Sequence, residues 1–124
     1  MRKLVPALAA AVIIGACTSS QGFVPSKFSA LDKAVMESAF VYGLKDPSAV
    51  QTQDVRVFQA PNGNRIICGQ ANAKNSFGGY IGYQTFAIMK AGAVDYSSPY
   101  ARPIFTIGGV SAIDCGGAGY TPSV

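Results

Sequence analysis

Histidine is absent from the 124 residues, and that absence removes a large part of enzyme chemistry. Without it there is no Cys-His pair, no Ser-His-Asp triad and none of the common zinc sites. Acids are scarce too, six Asp and Glu against ten Lys and Arg. Asp46, Asp54, Asp95 and Asp114 are scattered, with no pair spaced like the two converging carboxylates of a glycosidase-type site. The chain therefore reads as a protein that is not an enzyme and needs no cofactor and no metal. No basic run occurs past the first three positions, the remaining cations being dispersed between positions 27 and 102, so the charge pattern argues against a nucleic-acid partner. Internal repeats are also missing, and no apolar run after Cys17 approaches the roughly 20 residues needed to span a bilayer.

Arg2 and Lys3 open a short cationic segment, an apolar stretch covers positions 4–14, and small residues follow. This is the layout of a secretory signal peptide. Its end, Ile14, Gly15, Ala16, Cys17, resembles the lipobox of bacterial lipoproteins. The resemblance implies cleavage after residue 16, acylation of Cys17 and attachment to a membrane through the acyl chains, each buried CH2 contributing about 0.8 kcal/mol. Loss of Arg2 and Lys3 with a 1–16 signal peptide leaves eight cations against six acids, a net charge of +2 on a 108-residue mature chain. With Cys17 consumed by lipid, Cys68 and Cys115 remain, an even number suited to an oxidising compartment. A Cys68 to Cys115 disulfide is the expectation, and two separate buried thiols are the alternative.

Residues 17–28 read as the lipidated cysteine and a flexible tether, residues 29–115 as a single α+β domain, and residues 116–124 as a Gly-rich flexible tail. Ser29 and Asp32 mark a helix start. Leu31, Val35, Ala39 and Tyr42 recur at helical spacing, and Pro47 forbids continuation, so an amphipathic helix is expected over 29–45. Val55, Arg56, Val57 and Phe58, the turn at Pro61, Asn62, Gly63 and Asn64, and the apolar run over 65–71 read as a hairpin. A structured turn over 72–79 leads to a strand over 80–89 with apolar residues on both parities, as in a central strand covered on both faces. Residues 91–103 read as a long loop with two exposed tyrosines, Tyr96 and Tyr100. The segments 104–107 and 110–113 read as a last hairpin broken by Gly108 and Gly109. The architecture that follows is one helix packed on an antiparallel sheet of four or five strands, with the disulfide pinning the last hairpin.

The stretch over 68–86 is where a binding role concentrates. Asn72, Lys74, Asn75 and Tyr80 form the candidate binding turn. Lys74 either presents a cation to an acidic or carbohydrate ligand or bonds carbonyls to cap the turn. Tyr80, Tyr83, Tyr96 and Tyr100 are candidates for a partner surface, and sheet packing accounts equally for Tyr80 and Tyr83. Leu44, Lys45, Asp46, Pro47, Ser48 and Ala49, then Cys68, Gly69, Asn72, Lys74, Asn75, Phe77, Gly78, Gly79, Tyr80, Gly82 and Phe86 resemble a pattern of an uncharacterised family of small exported bacterial proteins. Val50, Gln51 and Thr52 stand where that pattern tends to place Phe or Tyr. The resemblance implies an exported domain and supplies no mechanism. The function expected is that of a lipid-anchored cell-envelope protein with a non-catalytic binding or structural role, partnered by a membrane and an envelope protein. The alternative is a small inhibitor or immunity-type protein blocking an envelope hydrolase through residues 72–79 or 96–102. Thr18 lacks the Asp that retains lipoproteins at the inner membrane, which points to the outer membrane facing the periplasm.

Overall fold

Five strands pair in sequence order to form one antiparallel sheet: β1 (Val24–Ser26), β2 (Gln51–Gln59), β3 (Arg65–Lys74), β4 (Tyr80–Lys90) and β5 (Ile104–Ile107). Helix α1 (Ala30–Gly43) follows β1, and helix α2 (Gly109–Ala118) follows β5. This computed structural model describes residues 22–96, 98 and 100–123. Residues 1–16, read as a signal peptide, lie outside the described residues, as do Cys17 and Thr18. Among the described residues no helix is long and apolar enough to cross a membrane. The molecule is α+β, with a five-stranded antiparallel sheet, two helices and one disulfide.

Each face of the sheet carries its own core. Ser29 caps α1 reciprocally with Asp32: its hydroxyl accepts from the Asp32 N–H while the Asp32 carboxylate accepts from the Ser29 N–H. The helix buries Val35, Ala39 and Phe40 against Val57, Ile67, Ala71, Phe86 and Ile88. Leu31 and Tyr42, read as part of the apolar stripe, are instead exposed. Phe40 meets Phe86 and Phe105 edge-on at 5.3 and 5.7 Å between ring centres. Gly43 makes that approach possible, because a Cβ there would fall 2.2 Å from the Phe105 ring.

The opposite face corrects the sequence reading. Residues 110–113 are helical, so β5 has no hairpin partner after it and a second helix covers the sheet. Gly108 makes the break with φ of 97°, accessible mainly to glycine, and donates its N–H to the Thr85 carbonyl at 2.9 Å. The residues α2 buries are small, Ser111, Cys115 and Ala118, while Val110 and Ile113 point outward. Reading bulk as burial therefore mistakes the outer side of the helix for a strand's core side. Cys68 on β3 is joined to Cys115 with their Cα atoms 5.9 Å apart, so the disulfide pins α2, not a hairpin. Phe58, Ile66, Ala87, Ala118 and Tyr120 complete this core.

Both ends of the described chain belong to the sheet's framework. Val24–Ser26, read as tether, pairs with residues 57–59, and Phe23 packs against the second core. Residues 116–118, read as tail, form the last turn of α2, Gly119 closes it with φ of 98°, and Tyr120 is buried. Ser123 then binds Asp54 at a bulge in β2, its N–H donating to Oδ2 at 2.7 Å. Arg56 pairs with the same carboxylate at 2.8 Å and lies over the Tyr120 ring at 5.1 Å.

Candidate functional site

The β3–β4 hairpin extends past the helices at one end of the sheet. Gln51, Asn72 and Tyr83 align across β2, β3 and β4 at that end, and Gln59, Arg65 and Lys90 align at the other. A strand as long as β3 separates the two ends by about 30 Å. Burial along β4 changes abruptly: Phe86, Ala87 and Ile88 are core, whereas Tyr80, Ile81, Gly82 and Tyr83 are exposed. The expectation of a strand covered on both faces holds only for its C-terminal half.

The turn itself is tighter than residues 72–79, since β3 runs to Lys74 and β4 begins at Tyr80. Asn75 organises it. Its side-chain oxygen accepts from the N–H groups of Phe77 at 2.9 Å and Gly79 at 3.0 Å, and its backbone N–H donates to the Gly79 carbonyl at 2.8 Å. Asn72 does the same for the bulge that follows, accepting from the Gly82 N–H at 3.0 Å while its amide donates to Gln51 at 3.2 Å. The Tyr80 hydroxyl donates to the Ala49 carbonyl at 2.8 Å. Lys74 bonds no carbonyl among the described residues; its ammonium lies 5.5 Å from the centre of the Tyr80 ring. Lys45, just past α1, donates to the Ser76 hydroxyl.

The four residues of the candidate turn are thus together, and their polar groups are largely engaged in holding its shape. What the turn presents outward is different: Phe77, 96 % exposed at the apex, with Ile81 and Tyr83 exposed behind it. Phe77 lies within the sequence motif, and the signal that marks it is the run of small and polar residues around one large aromatic. Comparison with protein-family models, curated proteins and solved structures finds no match for the chain, so its functional reading rests on these residues themselves.

The four tyrosines do not form one surface. Tyr80 and Tyr83 lie at the hairpin end, whereas Tyr96 accepts from the Ala91 N–H at 2.6 Å, next to the far end of β4, and packs against the first core. Tyr100 is 93 % exposed, and Arg102 lies 4.0 Å over the Tyr42 ring.

A second polar centre, which the sequence reading did not pick out, sits at the far end. Asp32, fully buried, receives Arg65 through two bonds, Nε to Oδ1 at 3.0 Å and Nη2 to Oδ2 at 2.6 Å. Arg65 also donates to Ser26, Gln59 and the Lys27 carbonyl, tying β1, β2, β3 and α1 together. Burial alone would raise the Asp32 pKa, but the bonds from Arg65 and Ser29, with the Arg65 charge, outweigh it and hold the carboxyl below its ordinary value. Every donor of this centre is matched within the fold, so it reads as a structural clamp.

Proposed function

We propose that the chain is a lipid-anchored protein of the cell envelope that works by contact, not catalysis, and that the β3–β4 apex is its contact point. One observation carries the contact reading: Phe77 is held almost fully exposed by a turn that Asn75 fixes through its bonds to the Phe77 and Gly79 backbone. An exposed aromatic on a preorganised turn loses little conformational freedom on binding, and aromatic residues are enriched at interface centres. The described chain begins beside Pro61, at the end of the sheet opposite the apex. A domain acylated at Cys17 would therefore be able to direct Phe77 away from the membrane that holds it. The outer membrane, periplasmic side, is the address that the residue after Cys17 favours, and an envelope protein is the partner class.

Expression of the full chain in a bacterial envelope, with and without Cys17→Ala and Phe77→Ser, tests both halves. The Cys17 variant loses acyl labelling and membrane fractionation, and the Phe77 variant keeps both but loses its cross-linked partner. Unchanged fractionation of the first would remove the anchor, and unchanged cross-linking of the second would remove the contact point. Recovery of a stoichiometric hydrolase whose activity the protein suppresses would instead establish the inhibitor reading, for which the same apex would be the blocking loop.

A further inference from the structure

The far end of the sheet holds a cavity of about 340 Å3, within the range of small-molecule sites. Its walls include Lys90, Arg65, Arg102, Tyr96, Phe23 and Met89, and among the described residues no Asp or Glu lines it. Three cations therefore face an otherwise largely apolar space. Arg65 is matched by a carboxylate, Asp32, whereas Arg102 and Lys90 each have a tyrosine ring as their contact, Tyr42 and Tyr96.

Lys90 is the more enclosed of these two. It is 8 % exposed, yet its ammonium has no hydrogen bond and no carboxylate among the described residues; its contact is the Tyr96 ring face, 5.9 Å from the ring centre. Nothing of the sheet's pairing requires a cation here, since the aligned residue on β3 is Arg65, another cation. Among the described residues no buried side-chain nitrogen is left without a hydrogen bond, so the Lys90 ammonium, which makes none, is reached by solvent at the cavity and is placed to hold an anion there.

Phe23 and Met89 also bound a second cavity of about 230 Å3, whose other walls include Ile66, Ile113 and Ala118 with Asp114. An apolar chain fits that side of the pair. An anionic group does not, because Asp114 would repel it. The two cavities thus differ in the sense an amphipathic molecule needs, cationic in one and apolar, with one carboxylate, in the other.

We propose that this end of the protein binds a small amphipathic anion, with a carboxylate or phosphate group against Lys90 and an apolar body along Phe23 and Met89. The site lies at the opposite end of the sheet from the hairpin apex and does not depend on the anchor.

Titration calorimetry of the purified full chain with dodecanoate, dodecyl phosphate and dodecanol tests the proposal. Either anion binds at one site at least tenfold tighter than dodecanol. Lys90→Met, which keeps most of the side chain's apolar length, removes that preference, and Lys90→Arg keeps it within a few-fold. A tighter dodecanoate identifies the carboxylate as the preferred head group, and a tighter dodecyl phosphate the phosphate. Equal binding of the anions and the alcohol to the unmodified protein overturns the proposal even if the Lys90→Met protein does not fold, as does a preference that survives in a folded Lys90→Met.

Discussion

Asp32 and Arg65 show how much of this small domain depends on a single pair. The carboxylate is out of contact with water, so its charge is tolerable only while Arg65 and Ser29 supply their bonds. Removing one partner strands the other, and Arg65→Met is expected to cost about 3 kcal/mol or more in urea unfolding. Adding Asp32→Asn to that variant recovers part of the loss, because the orphaned charge goes with it. The same pair sets an acid limit. Asp32 has a folded-state pKa below its unfolded value of 3.8, so the stability it contributes is fully present above that value. It is lost as pH falls below 3.8 and through the folded pKa. Asp54 adds to the slope in the same direction, its pKa lowered chiefly by the Ser123 N–H and further by Arg56, against a smaller opposing effect of burial. Urea midpoints measured from pH 6 to pH 2 should fall steeply at the acid end, and the fall should be shallower in the double variant. A slope unchanged by removing Asp32 would mean that other carboxylates carry it.

At the scale of elements, the β3–β4 hairpin separates shape from contact. Asn75→Ala deletes an acceptor used by two backbone N–H groups, each bond contributing about 1 kcal/mol, and should loosen the turn. Phe77→Ser deletes a side chain that is almost wholly in water and should leave the melting temperature unchanged. Amide exchange of residues 75–79 should rise in the first variant and stay constant in the second, while partner capture falls in both. Capture intact in Asn75→Ala would show that a fixed turn is not required. This hairpin was legible because Asn, Ser and Gly announce turns by local chemistry, and so was the 61–64 turn, where Asn62 accepts from the Asn64 N–H at 3.0 Å. Helix α2 was not, because what defines it is tertiary. Cys115 must come within bonding distance of Cys68, and Ser111 finds Thr106, its hydroxyl donating at 2.9 Å, so small residues turn inward and large ones outward. The exposure of Phe77 and the burial of Lys90 were hidden for the same reason: each depends on where the helices stop along the sheet, which no local pattern records.

For the molecule as a whole, the disulfide decides how far the C-terminal half is a fixed part of the fold. The sheet is a meander whose neighbouring strands are adjacent in sequence, so β1 to β5 can assemble from local pairings. Helix α2 comes last in the chain yet covers β3, the middle strand, and the bond linking them spans 47 positions. Closing a loop of that length stabilises the folded state by about 4 kcal/mol in the chain-entropy model, a large share of what a domain this size possesses. The residues beyond α2 hold on through side chains, with the buried Tyr120 donating to the Asp54 carbonyl at 2.9 Å. Reduction should therefore act first on one face. Amides of α2 and of residues 120–123 should exchange faster once the bond is cut, while those of β3, β4 and α1 on the Phe40 side stay protected until higher denaturant. If all amides instead accelerated together, the two cores would form one cooperative unit, and neither face could be called the less stable.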